Sequence, residues 1–172
     1  MIELGYETHS LTTDNEHDIA TGWLPGELSA DGRRQAISLG QRRADVSAVF
    51  ASDLRRAVET VEIAFAGSSV PVLLDWRLRE CDYGRLNGAP AATLDRAAHV
   101  EDPFPEGESY RDVVARTAAF IADVRGRWSG RRICVVSHSA NLWALQHLVH
   151  GARLEEVVAA PFEWREGWEF RL

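Results

Sequence analysis

The feature that most constrains how this chain folds is the alternation of short apolar runs with amphipathic, helix-like segments. Strands are predicted over residues 2–6, 46–51, 70–74, 133–136 and 164–172, the last of them at a sheet edge. Helices are predicted over residues 29–43, 53–65, 109–128 and 141–149. Such alternation is typical of a mostly parallel sheet with helices on both faces. We therefore predict a three-layer α/β/α fold, formed by residues 1–172 as one domain.

Composition and charge narrow the possible classes of function. The chain has 172 residues, about the length of one domain, and a formal charge of −7. This acidic balance argues against the basic face that binds nucleic acid or anionic membranes, so neither partner is expected. No apolar run is long enough to cross a bilayer, and the first residues lack the basic and then apolar pattern of a signal peptide. We therefore expect a cytoplasmic protein. Cys134 lies in an apolar run and is expected to be a free, buried thiol.

Reactive side chains follow three of the predicted strands. His9 comes after the first strand, Arg56 after the second, and His138 after the strand at 133–136. Because ligands of parallel sheets bind beyond the carboxyl ends of the strands, we expect these side chains at one edge of the sheet. Glu80 lies in a glycine-containing segment, residues 77–90, that is predicted to be a functional loop. A lone histidine at a strand end is more often structural than catalytic, so only the combination predicts a site.

Six ordered motifs span nearly the whole chain, at residues 8–15, 22–36, 52–60, 78–88, 107–109 and 137–140. The pattern Ser-x-Leu-x-Arg-Ala-x-x-Thr is intact from Ser52 to Thr60, and Leu-x-Glu-x-x-x-Gly-x-x-x-Gly is intact from Leu78 to Gly88. In these motifs the chain resembles the histidine phosphatase superfamily, the phosphoglycerate-mutase-like enzymes. The resemblance implies a phosphoglycerate-mutase-like fold and a phosphoryl-transfer reaction that needs no metal and no organic cofactor.

The same resemblance implies a role for each of the four reactive side chains. His9 would attack phosphorus and become a phosphohistidine, which divides one difficult transfer into two easier ones. Arg56 and His138 would hold the phosphoryl oxygens and offset the charge that develops on them. Glu80 would protonate the leaving group and later activate water. The implied substrate is a small phosphorylated molecule, and the implied assembly is a monomer or a homodimer.

Further positions near the motif histidines are expected to contact the substrate. The side chains predicted to do so are Thr8, Ser10, Asn15, Ser139 and Asn141. The backbone N–H groups near Ala140 and Asn141 open a helix, and helix N-termini bind anions. We therefore expect these groups to add to an anion site.

The chain departs from the superfamily pattern at two positions that normally hold phosphate-binding arginines, which are Thr8 and Ile19 here. A charge-assisted contact is worth roughly 1.5–3 kcal/mol, so losing two without replacement would weaken phosphoryl binding by roughly a few thousandfold or more. The candidates for compensation are Arg55, Arg77, Arg79 and Arg85, with the hydroxyls of Thr8, Ser10 and Ser139. A Glu7 carboxylate facing the cleft would instead oppose a phosphoryl dianion and favour a neutral or cationic substrate.

Three functions remain open from the sequence. The chain is predicted to be a phosphomonoester hydrolase or phosphotransferase. The alternatives are an enzyme that keeps His9, Glu80 and His138 for a non-phosphate substrate, and a non-catalytic binding module. Residues 89–105 occupy the place of a substrate-facing lid and form a short segment. This predicts an open pocket for a small or extended substrate, although a plain connecting helix without substrate contact is an equal expectation.

Overall fold

A five-stranded sheet forms the centre of the computed structural model, which describes all 172 residues. The strands are β1 (Glu3–Thr8), β2 (Ile19–Ala20), β3 (Ala48–Ala51), β4 (Val72–Leu74), β5 (Ala89–Pro90), β6 (Arg132–Ser137) and β7 (Trp168–Arg171). The central sheet has the order β4-β3-β6-β1-β7, and only β7 runs antiparallel to its neighbour. Strands β2 and β5 form a separate antiparallel pair. The predicted mostly parallel sheet is thus confirmed, with its last strand at an edge.

Six α-helices accompany these strands. They are α1 (Thr13–Glu16), α2 (Ala30–Arg42), α3 (Arg55–Ala64), α4 (Tyr110–Arg127), α5 (Ser139–His150) and α6 (Leu154–Ala159). Serine side chains cap two of the predicted helices at their N-termini. Ser29 Oγ accepts a hydrogen bond from the Gly32 N–H at 3.1 Å, and Ser109 forms a capping box with Asp112. These caps fix where α2 and α4 begin.

Two apolar layers lie on opposite faces of the sheet. Along β6, Ile133 and Val135 join a buried cluster that includes residues of α4 and α5. The alternate residues, Cys134 and Val136, join a second buried cluster with residues of α2 and α3. This alternation is what a strand covered on both faces requires. The predicted three-layer α/β/α arrangement is therefore confirmed, and Cys134 is a free, buried thiol as expected.

Strand register brings the two motif histidines together. Thr8, the last residue of β1, is paired with Ser137, the last residue of β6. The next residues, His9 and His138, therefore leave neighbouring strands side by side. The His9 N–H extends the pairing by one step, since it donates to the Ser137 carbonyl at 2.8 Å. On the other side of β6, β3 ends four residues before α3 begins.

The structure corrects several predicted boundaries. The first strand was predicted to end at residue 6, but β1 continues to Thr8, and a capping box between Thr12 and Asn15 starts α1. The last strand begins at Trp168 rather than at residue 164, because Gly167 has φ +82°, which is incompatible with an extended strand. The short elements α6, β2 and β5 were not predicted. No helix in the structure is long and apolar enough to span a bilayer.

Candidate active site

Three of the predicted catalytic side chains meet where β1, β3 and β6 end. The ring centroids of His9 and His138 are 5.1 Å apart. Arg56, in the first turn of α3, contacts both rings: its Nε is 3.3 Å from His9 Nε2, and its Nη2 is 3.3 Å from His138 Nδ1. The structure thus brings together two imidazoles and one guanidinium that are far apart in the sequence.

Backbone carbonyls hold the Arg56 guanidinium in place. Its Nη2 donates to the Gly22 carbonyl at 2.8 Å, and its Nη1 donates to the Leu24 carbonyl at 2.9 Å. Gly22 has φ +55°, and a Cβ atom there would lie 1.8 Å from Asn87 Oδ1. A side chain at position 22 would therefore push apart the loop that supplies these carbonyls. The glycine in this motif serves to position the arginine.

Hydrogen bonds assign the tautomer of His9. Its Nδ1 is 2.8 Å from the Ser10 carbonyl, which can only accept, so Nδ1 carries the proton. Nε2 then carries the lone pair and accepts from Arg56. Burial, followed by the positive charge of Arg56, lowers the pKa of His9 from 6.5 to about 3. His9 is therefore a neutral imidazole near pH 7, with its lone pair on Nε2.

His138 has the opposite tautomer. Because Arg56 can only donate, His138 Nδ1 is the acceptor and Nε2 carries the proton. Nε2 is buried and has no hydrogen-bond partner. Burial, with the nearby Arg56 charge, lowers the pKa of His138 well below its usual value. The Tyr6 hydroxyl fixes the backbone here, accepting from the His138 N–H at 3.1 Å and donating to its carbonyl at 2.5 Å.

The Glu80 carboxylate is fixed by the start of α5. Its Oε1 accepts from the N–H groups of Cys81 at 2.8 Å and Ala140 at 3.2 Å. Its Oε2 accepts from Ser139 Oγ at 3.1 Å. The Ala140 N–H, which was expected to bind a substrate anion, therefore binds Glu80 instead. This is a correction, and it follows from the preference of a helix N-terminus for the nearest carboxylate.

A cleft of about 610 Å³ opens above these residues. His9, Arg56 and Glu80 line it, and so do three of the predicted substrate-binding residues, Thr8, Asn15 and Ser139. His138 has no exposed surface and lies beneath the cleft lining. The Thr8 hydroxyl is buried and has no hydrogen-bond partner. Two unpaired buried polar atoms thus lie at the inner end of the cleft: Thr8 Oγ1, on a residue of the lining, and His138 Nε2, on a residue beneath it.

Two predicted substrate-binding side chains do not line the cleft. Asn141 is fully buried, and its Nδ2 donates to the Arg77 carbonyl and to Thr117 Oγ1, both at 3.2 Å. It lies two residues beyond Ser139, which is about 200° further round the helix. Ser10 is also buried, and its N–H donates to Thr60 Oγ1 at 3.0 Å. Both positions are corrections to the sequence prediction.

The arginines proposed to compensate for Thr8 and Ile19 lie outside the cleft. Each pairs with a carboxylate: Arg55 with Glu27, Arg77 with Asp75, Arg79 with Asp53, and Arg85 with Glu106. None of the four contributes to the cleft lining, whereas Thr8 and Ile19 both do. The positive charge that the superfamily pattern places at these two positions is therefore not restored by those side chains.

Glu7 does not face the cleft. Its Oε1 is 2.8 Å from Arg43 Nε, and its Oε2 is 3.1 Å from Arg42 Nη2, at the end of α2. Neighbouring residues of a strand point to opposite faces, so Glu7 and Thr8 are in different surroundings. The alternative in which a Glu7 carboxylate faces the cleft and repels a phosphoryl group is therefore excluded.

The sequence prediction missed the outer wall of the cleft. Apolar rings and a cation line it, namely Trp143, Phe162, Trp164 and Arg96, with Leu94 beside them. Arg96 is the only arginine in residues 89–105, the segment where a lid was expected, and this was the available signal. That segment forms β5 and two 3₁₀ helices, Ala91–Thr93 and Ala97–His99, rather than one plain connecting helix, and four of its residues line the cleft.

No group of three or more His, Cys, Asp or Glu side chains is arranged to hold a metal ion.

The ionisable side chains that line the cleft include two arginines and two carboxylates, and His9 is neutral. They are Arg56, Arg96, Glu80 and Asp18. The two arginines of the lining thus lie at opposite ends of the cleft, Arg56 at the inner end and Arg96 at the outer end.

Comparison with known proteins agrees with this geometry. The family model of the histidine phosphatase superfamily (branch 1) matches residues 8–163. A 2,3-bisphosphoglycerate-dependent phosphoglycerate mutase of Neisseria gonorrhoeae is 27% identical, over 91% of this chain and 88% of the relative. The structure of Bacillus stearothermophilus YhfR superposes with a TM-score of 0.86 at 26% identity, over 96% of this chain and 88% of that one. Mycobacterial glucosyl-3-phosphoglycerate phosphatase Rv2419c, in complex with VO3, gives 0.79 at 28% identity, over 92% and 87%.

Proposed function

Because the chain belongs to the histidine phosphatase superfamily, we propose that it hydrolyses a small phosphomonoester, or transfers its phosphoryl group, through a phosphohistidine at His9. The observation that carries this proposal is the neutral His9 imidazole, whose Nε2 lone pair lies beside the Arg56 guanidinium on the cleft floor. A nucleophilic imidazole must be unprotonated at the attacking nitrogen, and the His9–Ser10 hydrogen bond leaves Nε2 in that state.

In the first step, His9 Nε2 attacks phosphorus and the bond from phosphorus to the ester oxygen breaks. The protonated Glu80 carboxyl gives its proton to the leaving oxygen, so the alcohol departs neutral. Glu80 is suited to this role because three hydrogen bonds, from Cys81, Ala140 and Ser139, fix its orientation at the cleft. The products of this step are the alcohol, the phosphohistidine and the Glu80 carboxylate.

In the second step, water attacks the phosphorus of the phosphohistidine from the position that the leaving alcohol occupied. The Glu80 carboxylate takes a proton from this water as the bond from phosphorus to Nε2 breaks. Inorganic phosphate leaves, and His9 and Glu80 return to their starting protonation states. An acceptor alcohol in place of water would make the same step a phosphotransfer.

In this proposal, two buried polar atoms near His9 that lack hydrogen-bond partners, Thr8 Oγ1 and His138 Nε2, contact the phosphoryl group. A buried donor without a partner is costly, and a phosphoryl oxygen would satisfy it. The His138 Nε2–H and the Thr8 hydroxyl are two such groups next to His9. Together with Arg56 they would offset charge on the equatorial oxygens. This set carries one positive charge, so we expect weaker phosphate binding than in relatives with arginines at both missing positions.

The test is to trap the intermediate. Protein mixed with a 32P-labelled phosphomonoester, then denatured and digested at alkaline pH for peptide mapping, should carry a base-stable phosphate on His9 that is lost when the peptide is acidified. His9→Ala should lose the label and reduce turnover at least about a thousandfold. His150→Ala is the matched control, because His150 is exposed at the far end of α5 and stacks on Phe170, away from the cleft. A label on another residue, or none with active turnover, would exclude the proposed intermediate.

A further inference from the structure

The outer part of the cleft is walled by apolar side chains from two segments that are distant in sequence. The loop before β7 contributes Phe162 and Trp164, and the turns after β5 contribute Ala91, Ala92 and Leu94. These residues line the same 610 Å³ space as His9. A molecule whose phosphoryl group contacts His9 would therefore place its organic part against this wall.

The two rings of the loop before β7 are only partly covered by protein. Trp164 is 49% exposed and Phe162 is 37% exposed, although both line the cleft. Trp143, in contrast, is 5% exposed and packs edge-to-face on Tyr110, with ring centroids 5.6 Å apart. Covering the partly exposed rings with an apolar ligand would remove them from water, which favours binding. Within the wall, Phe162 and Trp164 are thus the rings whose exposed apolar surface a bound ligand would cover.

The charges of the outer cleft do not form a second anion site. Beyond the reaction centre, the charged residues of the lining are Arg96 and Asp18, which have opposite signs. The Arg96 guanidinium lies 5.2 Å above the Trp143 ring, and its Nη2 donates to the Ala160 carbonyl at 3.2 Å. It is therefore already engaged as a cation on an aromatic face. A second carboxylate or phosphate on the substrate would meet one guanidinium that already lies on the Trp143 ring, and one carboxylate of its own sign.

We propose that this cleft selects phosphomonoesters whose organic part is an uncharged, ring-bearing group, held against Phe162, Trp164 and Leu94. The inference rests on the proposed phosphatase function for the position of the phosphoryl group. Its own basis is the combination of partly exposed rings with an outer end whose charged lining residues, Arg96 and Asp18, have opposite signs. Trp164 is the specificity-determining residue of this proposal.

The first experiment compares kcat/KM for benzyl phosphate, ethyl phosphate and 3-phosphoglycerate. All three release alkyl alcohols, so leaving-group reactivity differs little among them. We expect benzyl phosphate to exceed ethyl phosphate by about tenfold or more, as burial of a ring predicts, and 3-phosphoglycerate to be the poorest. Trp164→Ala should reduce the benzyl-to-ethyl ratio about fivefold or more. Trp76→Ala should keep the ratio, because Trp76 is similarly exposed but lies outside the cleft. A ratio near one in the wild type, or 3-phosphoglycerate as the best substrate, overturns the proposal.

A second experiment separates this proposal from the phosphatase function. Binding of benzylphosphonate, ethylphosphonate and phosphonoacetate is measured by calorimetry, which needs no turnover. Tighter binding of benzylphosphonate than of ethylphosphonate, with the gain lost in Trp164→Ala, supports the ligand class even if no ester is hydrolysed and the phosphatase proposal fails. Equal binding of these two phosphonates overturns the ligand class even if hydrolysis is observed. Tightest binding by phosphonoacetate, lost in Arg96→Ala, also overturns it and identifies Arg96 as an anion site.

Discussion

The inner and outer ends of the cleft are built in different ways. At the inner end, strand register places His9 beside His138, and backbone carbonyls hold Arg56 between them. At the outer end, Phe162 and Trp164 project from an irregular loop and keep a third to a half of their surface exposed. Side chains fixed by hydrogen bonds suit a reaction that needs one geometry. Partly exposed rings on a loop suit the recognition of variable groups. Chemistry and selection are therefore carried by separate parts of the chain.

The largest expected effect concerns the proton affinity of His9. Its pKa is lowered from 6.5 to about 3, chiefly by burial and secondly by Arg56. A lowered pKa means that the imidazole stays neutral from neutral pH down to about pH 3. In an NMR titration, the His9 Cε1 proton should show no shift near pH 6.5. A midpoint near 6.5 for His9 would show that the inner end is open to water.

This pKa also affects folding stability. The unfolded chain binds the His9 proton as the pH falls below about 6.5, whereas the folded chain binds it only near pH 3. The unfolded state therefore takes up more protons within this window, so acidification from pH 6.5 towards 3 should lower the free energy of unfolding. Urea unfolding at several pH values should show a smaller pH dependence for His9→Asn than for the wild type. An equal dependence in both proteins would contradict the assignment.

The next prediction concerns the contribution of the Arg56 guanidinium to catalysis at the inner end. Arg56→Met should lower kcat/KM on ethyl phosphate by about 10²–10³-fold, the usual loss when a charge-stabilising donor is removed. It should also raise the pKa of His9 in part, because burial would remain. Arg55→Met is the matched control, since the neighbouring Arg55 is exposed and pairs only with Glu27, at 3.9 Å. A loss of similar size in the control would mean that α3, rather than one guanidinium, is what matters.

A smaller and more selective effect is expected at Glu80. Glu80→Gln keeps the shape but removes the proton that the leaving oxygen needs. We expect about a hundredfold loss of kcat on ethyl phosphate, within the usual range for general acid catalysis. On p-nitrophenyl phosphate, which releases a stable anion, the loss in the first step should be less than about tenfold. Burst kinetics measure the first step separately. Equal losses in the first step for both substrates would argue against Glu80 as the acid.

The sequence predicted the inner end better than the outer end for a physical reason. Residues that directly follow parallel strands, such as His9 and His138, meet at one sheet edge whatever the details of packing. The orientation of Asn141 was not predictable in this way, because it depends on which face of α5 packs against Thr117. Trp164 falls within residues 164–172, which were predicted to be the last strand. The left-handed backbone of Gly167 prevents the strand from starting before Trp168, so Trp164 lies in the loop beside the cleft.

Glu7 and Thr8 set the terms of the smallest prediction. Glu7 is buried against Arg42 and Arg43, so its carboxylate does not contribute to the cleft floor. Thr8 lines the cleft next to His9, and its hydroxyl has no partner within the chain. Thr8 and Ile19 are therefore the positions where the inner end of the cleft lacks positive charge. A substitution at Glu7 would change folding stability rather than the preference for a charged or neutral substrate.

Thr8→Arg should raise kcat/KM on ethyl phosphate about tenfold, which corresponds to about 1.4 kcal/mol of transition-state stabilisation. The gain is expected because a guanidinium beside His9 adds a charge-assisted contact to a phosphoryl oxygen. Thr8→Gln has a side chain of intermediate length without charge, so it separates the effect of charge from that of filling the floor. The benzyl-to-ethyl ratio should stay near its wild-type value in Thr8→Arg, since the outer wall is untouched. A wild-type protein already efficient on ethyl phosphate, with no gain in Thr8→Arg, would show that Arg56, His138 and the Thr8 hydroxyl are sufficient. In that case the inner end would have replaced two arginines with neutral donors at no cost to phosphoryl binding.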